Sequence, residues 1–394
     1  MQQSIRQKFL EAFSMEKYAA YLSEIETFAQ SKLAFRVSET PVFISKDLKL
    51  KMEETADSVI DLIKDKDFKK ITEHSIPNQF NIPGENEFPQ LMVFDFGICK
   101  NKAGEIEPQL IEMQGFPSLF GFQYLCDELT KKHFYIPENY DAYLNGYDGE
   151  SYIQLLKEII IGKEDLSGVV LLEIYPQQQK TLIDFKITEK ILGIKTVCLT
   201  ELIAIEDKLF YKDLENLIQI KRIFNRMVFD DLSKFSEIKH IDLSKKYDVE
   251  WVTHPHWFYR ISKYILPFTH HRYIPETYFL NELKYPVPLD EFVLKPLFSY
   301  AGMGVIINVT QKDIDQITDP ENWILQRKVE YAAVIQTPVG YSKLEIRLFY
   351  FWKEGWERPI VVHNLARLSQ GEMIGTRYNQ GKTWVGGTIA YFEK

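Results

Sequence analysis

Only three cysteines, Cys99, Cys126 and Cys198, are spread over 394 residues. Thiols so far apart in sequence make neither a disulfide framework nor a close-set metal motif. Basic residues are in deficit, with 47 Lys and Arg against 56 Asp and Glu and a formal net charge of −9. A general nucleic-acid binder needs the opposite balance, so no nucleic-acid partner is expected. No apolar run approaches the roughly 18 residues of a membrane span. The first 22 residues mix charges into an amphipathic pattern without a signal-peptide core. A soluble, cytoplasmic protein with no membrane partner is the expectation. Internal repeats and low-complexity tracts are missing as well. The histidine pairs His254-Pro-His256 and His270-His271 lack an HExxH pattern. The chain also has no G-x-S-x-G elbow, which argues against a triad hydrolase.

What is present is ordinary globular material: 45% hydrophobic, 26% charged and 14% aromatic residues. That composition argues against long disorder and supplies large cores. The length allows two to three domains of about 150 residues each, or one composite fold. Residues 4–30 carry Ile5, Phe9, Phe13, Leu22, Ile25 and Phe28 at helical spacings. A short apolar stretch, 40–44, separates them from a second helical pattern running from Leu48 to Ile63. Pro77, Pro83, Gly84 and Pro89 mark 75–90 as loop. Residues 90–98 and 109–114 read as strands of a β-hairpin around a polar turn.

Farther along, GVVLLEIY (168–175) and IKTVCL (194–199) read as strands buried on both faces. A helical stretch between them ends at Gly193, so the segment is a βαβ unit with parallel strands. Residues 151–250 are therefore a candidate Rossmann-like subdomain, without the glycine fingerprint that would assign NAD. The last third is β-rich, with strands predicted at 292–295, 304–309, 323–329, 343–352 and 360–368 and helical pieces around 256–265 and 311–317. The fold class is α/β or α+β.

Four groups of residues could carry chemistry. A hairpin symmetric about Ala103-Gly104 sets Asp95 opposite Glu112, with Gln114 on the same face as Glu112. Like charges so placed repel. Either a divalent cation relieves them, Mg²⁺ or Mn²⁺ beside a phosphate, or one carboxylate meets an Arg or Lys in a shifted register. Lys295 ends a strand ahead of a loop holding Gly302, Met303 and Gly304, whose glycines let backbone approach a phosphate. The strand exit Gln326-Arg327-Lys328-Val329 could turn its backbone edge to an adenine. Arg347, which shares a strand face with Glu345, and Arg367 offer rigid forks for phosphoryl oxygens. Both arginines reach one face only if a bulge or a register shift intervenes.

In their order along the chain, FDFG, IEMQG, IFNRM, FVLKP, SYAGMGV, WILQRKV, EIR and ARLS resemble the circularly permuted branch of the ATP-grasp superfamily, which includes the synthetase domain of glutathionylspermidine synthase. The resemblance spans residues 90–394. It implies an N-terminal helical substrate-side lobe (1–89), a metal-binding hairpin part of the core (90–150), a Rossmann-like subdomain (151–250) and an ATP-binding lobe (251–394). It further implies ATP and Mg²⁺ or Mn²⁺ as cofactors, with a small carboxylate and an amine or peptide-like compound as substrates. Lys263, Lys295, Gly302, Met303, Gly304 and the hinge from Gln326 to Val329 would hold ATP. Asp95, Glu112 and Gln114 would hold the metal, and Arg347 and Arg367 the transferred phosphoryl group. The implied reaction is ATP-dependent carboxylate–amine (or thiol) ligation through an acyl phosphate. Gln114 stands where the family has Asn, and Val93 where permuted relatives often carry an Arg. These departures imply the alternative of a catalytically weakened nucleotide-binding or scaffold protein.

Overall fold

The computed structural model describes residues 3–229, 232, 241–283, 287–299 and 302–394. The largely apolar run Leu91–Lys100, buried on both faces, lies inside a six-stranded antiparallel sheet. The neighbours run in the order Gly386–Thr388, Ile360–Ser369, Gly340–Phe351, Leu91–Lys100 and Ile106–Gln114. Ala333–Thr337 also pairs with Gly340–Phe351. Period-two alternation sends Met92, Phe94, Phe96 and Ile98 to one face, where Ile346 and Leu348 join them. The helix Lys46–Lys64 covers that face with Met52, Val59, Ile60 and Ile63. Each such side chain contributes about 1.5–3 kcal/mol on burial.

The opposite face has two characters. At one end Leu91, Val93, Phe349 and Phe351 pack against the helix Gly149–Ile160 through Tyr152, Leu155 and Ile159. Farther along the same strands, that face carries Asp95, Glu345, Arg347 and Arg367.

A second sheet is wholly parallel, in the order Glu250–Val252, Arg222–Asn225, Val169–Glu173 and Lys195–Cys198. The helix Leu182–Leu192 links its last two strands and ends at Gly193, whose φ of 80° closes the helix in the left-handed region. An antiparallel meander, Ile203–Ile205, Lys208–Asp213 and Asn216–Ile220, then returns the chain to the other side of Val169–Glu173. The sheet therefore switches direction of growth between Val169–Glu173 and Arg222–Asn225.

A third sheet holds Thr277–Phe279, Trp323–Arg327 and Phe292–Pro296. In a fourth, Val42–Ile44 pairs parallel with Ala390–Glu393, which pairs with Tyr140–Asp141. That sheet joins residues of the segments 1–89, 90–150 and 251–394.

Two elements differ from expectation. Residues 4–30 form two helices, Gln3–Ala12 and Met15–Ala29, because Ser14 is extended and its hydroxyl accepts the Lys17 N–H at 3.2 Å. The run 304–309 is not a strand. Only Ile306 pairs, exchanging two 2.9 Å hydrogen bonds with Leu294. Pro296 has no N–H with which to carry the ladder on towards Gly304. Among the described residues no helix is long and apolar enough to cross a membrane.

Candidate active site

Two β-bulges assemble the charged face. Near its turn the first hairpin pairs Gly97 with Gln109 and Phe96 with Leu110. That register would put Ile111 opposite Asp95. Ile111 is instead an extra residue in its strand, and beyond it Asp95 faces Glu112. The second hairpin, Gly340–Phe351 with Ile360–Ser369, has the same device at Val362, past which Glu345 faces Arg367 and Arg347 faces Leu365.

Asp95 is 0% exposed. Arg347 grips it with both prongs, Nε to Oδ1 and Nη2 to Oδ2, each at 2.6 Å. Arg367 Nη2 adds a 2.7 Å bond to Oδ2 and reaches Glu345 Oε1 at 2.5 Å. Burial pushes the Asp95 carboxyl up, but the two guanidiniums outweigh it and hold the group below the usual range. Glu345 goes the other way: burial raises it, Asp95 and Glu112 add to the rise, and Arg367 opposes it. The Tyr331 hydroxyl donates to Glu345 Oε2 at 2.9 Å. Tyr331 lies close against Gly97, where a Cβ would meet its ring at 2.8 Å. The glycine of the FDFG run is thus the space that tyrosine needs.

Lys263 and Lys295 come to this face from the other side. Lys263 Nζ donates to Ser299 O at 2.7 Å and lies 3.8 Å from Glu112 Oε2. Burial lowers its pKa, with Glu112 and Asp95 resisting. Lys295 donates to Gln326 Oε1. Its burial, with Lys263 adding, brings it down to about 8 against the pull of Glu112. Gln326 Nε2 in turn donates to the carbonyl of the bulge residue Ile111 at 3.4 Å. Gly302 and Gly304 have φ of +70° and +73°, and Met303 is exposed. A Cβ on Gly302 would meet Met373 Cε at 3.2 Å, so this loop lies against the segment after Ile360–Ser369.

The hinge is divided. Gln326 faces the lysines, whereas Arg327 pairs outward with Glu276 and Glu291 and Lys328 Nζ donates to Asp290 O. The backbone N–H groups of Arg327 and Lys328 donate to Glu276 O and Glu291 O. Val329 follows the end of the strand and is half-buried.

Glu345, Tyr331, Asn225 and Arg226 form part of this region but were given no role from sequence. Arg226 ends the parallel strand Arg222–Asn225, at the switch point of its sheet. Carboxyl ends of parallel strands at a switch point open onto a crevice suited to ligands. Arg226 donates to Pro117 O and stacks over Phe116 at 4.8 Å, and burial lowers its pKa, with the charge of Arg347 adding to the fall. Its Nε and the Asn225 Nδ2 are buried without a partner among the described residues. The position at a parallel strand's carboxyl end was the available signal. Glu345 had only its shared face with Arg347, and Tyr331 had none.

The oxygen donors that Mg²⁺ would need are already engaged on this face. Both Asp95 oxygens are taken by arginines, Glu345 is held by Arg367 and Tyr331, and Glu112 Oε1 accepts from Gln114 Nε2 at 3.0 Å. Among the described residues no group of three or more His, Cys, Asp or Glu is arranged to hold a metal ion. The residues do not fit Mg²⁺ in this arrangement.

No family model matches the sequence, and no curated protein matches it. Among solved structures, a glutathione synthetase-like effector from Globodera pallida, in its apo form, matches with a TM-score of 0.57 at 10% identity. The match covers 96% of this chain and 97% of that one. The likeness is one of fold, mixed α/β.

Proposed function

We propose that this chain is an ATP-dependent carboxylate–amine or carboxylate–thiol ligase of the circularly permuted ATP-grasp type, with the parallel sheet as its Rossmann-like subdomain. The observation that carries the reading is the gathering of Lys263, Lys295, Arg347 and Arg367 on one largely buried face, with four cations against the carboxylates of Asp95, Glu112 and Glu345. A surplus of fixed cations in a water-poor cleft suits a polyphosphate. Lys263 and Lys295 bind its phosphates beneath the Gly302–Gly304 loop, and the Gln326–Val329 exit borders the adenine. Arg367, whose buried Nε has no partner among the described residues, turns towards the transferred phosphoryl group. The unpartnered donors of Asn225 and Arg226 take a substrate carboxylate. That carboxylate attacks the γ-phosphorus, ADP leaves, and an acyl phosphate forms. An amine or thiol then displaces inorganic phosphate. Positioning and charge stabilisation supply the acceleration. No step is assigned to a metal ion, given the donor set described above.

A second reading, nucleotide binding without turnover, draws on the closure of Asp95 by two arginines and on the Gln114 and Val93 departures. One assay separates the two: ADP release with a panel of carboxylic acids and amines or thiols, Lys295→Ala serving as control. Turnover that Lys295→Ala abolishes supports the ligase. ATP binding with no turnover across the panel favours the second reading. Unchanged ATP affinity in Lys295→Ala sinks the site.

A further inference from the structure

We infer that the charged face takes the polyphosphate of its nucleotide without a divalent cation, the Arg347–Asp95–Arg367 cluster standing where a metal would be needed. The inference rests on the nucleotide reading above and concerns how the phosphates are neutralised. Three features carry it. Asp95 accepts three hydrogen bonds of 2.6–2.7 Å from two arginines. A bidentate guanidinium–carboxylate pair in a buried setting is not displaced cheaply, because the freed arginine is left as an uncompensated charge. Second, Glu345, on the same sheet face as Asp95, is committed to Arg367 and Tyr331 and is not free to join a coordination shell. Third, Gln114 Nε2 donates to Glu112 Oε1, and Glu112, its side chain 25% exposed, is the one carboxylate left, 3.8 Å from Lys263 Nζ. Mg²⁺ on a nucleotide is held by one or two carboxylates together with phosphate and water oxygens, and the one carboxylate left here, Glu112, faces the Lys263 ammonium at 3.8 Å instead. The charge that a cation would bring is already fixed in the protein: Arg347 is held rigidly by Asp95, and Arg367 is bridged between two acids.

The role of Glu112 follows in sign. In a metal-loaded site it would be a ligand, and its loss would weaken nucleotide binding. In a metal-free site it is a negative charge beside incoming phosphates, and its neutralisation strengthens binding.

The test is calorimetric titration of the whole protein with ATP and, separately, with inorganic tripolyphosphate, in excess Mg²⁺ and in EDTA. The expected result is an ATP Kd in EDTA within about threefold of that in Mg²⁺, with tripolyphosphate following the same pattern. Glu112→Gln is expected to tighten ATP several-fold in EDTA, and Arg367→Gln to weaken it at least about tenfold in both media. ATP that binds in Mg²⁺ but at least about tenfold more weakly in EDTA overturns the inference and leaves the nucleotide reading standing. Weaker binding in Glu112→Gln also overturns it. No binding of ATP in either medium removes the nucleotide reading, and this inference with it.

Discussion

Replacing Asp95 by Asn removes one charge and almost no volume from a fully buried position. Arg347, 6% exposed, then loses the carboxylate that takes both its prongs. Breaking one side of a buried pair typically costs about 3–5 kcal/mol. At about 2.1 cal/mol/K per residue, cooperative unfolding of the whole chain has an entropy near 0.8 kcal/mol/K. The melting temperature measured by circular dichroism should therefore fall by about 4–6 °C. Arg347→Gln should cost a similar amount, because it leaves buried Asp95 with only the single bond from Arg367. The double variant should cost much less than the sum, with a coupling of about 2–3 kcal/mol. Acid supplies an independent check. The two arginines lower the Asp95 pKa from its ordinary 3.8. Its stabilisation is therefore present above that value and is lost as pH falls through the lower, folded-state value. The gap between wild type and Asp95→Asn should be flat from about pH 7 to 5 and should close only in strong acid. Additive single variants, or a gap that closes near neutrality, would refute the buried-pair account.

Three further outcomes follow from the same face. Lys295 titrates near 8 in the fold against an ordinary 10.5, so stability should rise with pH between those values while ATP affinity falls across the same window. Lys295→Arg should erase both trends in melts and titrations. Glu345 has a raised pKa, so its ionisation opposes folding as pH rises; Glu345→Gln should gain melting temperature at about pH 8 and lose that advantage by about pH 4. Gly97→Ala puts a methyl group into the Tyr331 ring and should cost about 1–3 kcal/mol in urea unfolding, with Tyr331→Ala on the same background recovering part of it.

Most strands and the βαβ unit were legible because apolar runs, polar turns and Gly193 are local signals. The Asp95–Glu112 pairing was reached for an incomplete reason. A hairpin symmetric about Ala103-Gly104 gives that pair directly, whereas the turn is tighter by one position and the bulge at Ile111 restores it. For Arg347 and Arg367 the need for a bulge was visible, and Val362 supplies it. A bulge costs one residue and leaves no compositional mark, so its place cannot be read from a single strand. The failed strand at 304–309 shows the converse, since β-branched residues had no partner N–H at Pro296. The IFNRM run carried no role for Asn225 and Arg226, because an unpartnered donor is a property of surroundings, not of residue type.

The pairing of Leu91–Lys100 with Gly340–Phe351 has a kinetic consequence. These neighbours in the central sheet stand about 250 positions apart along the chain, and Val42–Ile44 and Ala390–Glu393 are farther apart still. Closing loops of that size is slow, and contacts across them form late. The parallel sheet between residues 169 and 252 closes over much shorter distances and can condense first, as a separate phase. Asp95 and Arg347 belong to opposite sides of the long closure, so neither can neutralise the other until it is complete. Refolding followed by a probe in the parallel sheet should therefore run ahead of the recovery of anion binding, because completing the central sheet and making the charged face competent are a single event.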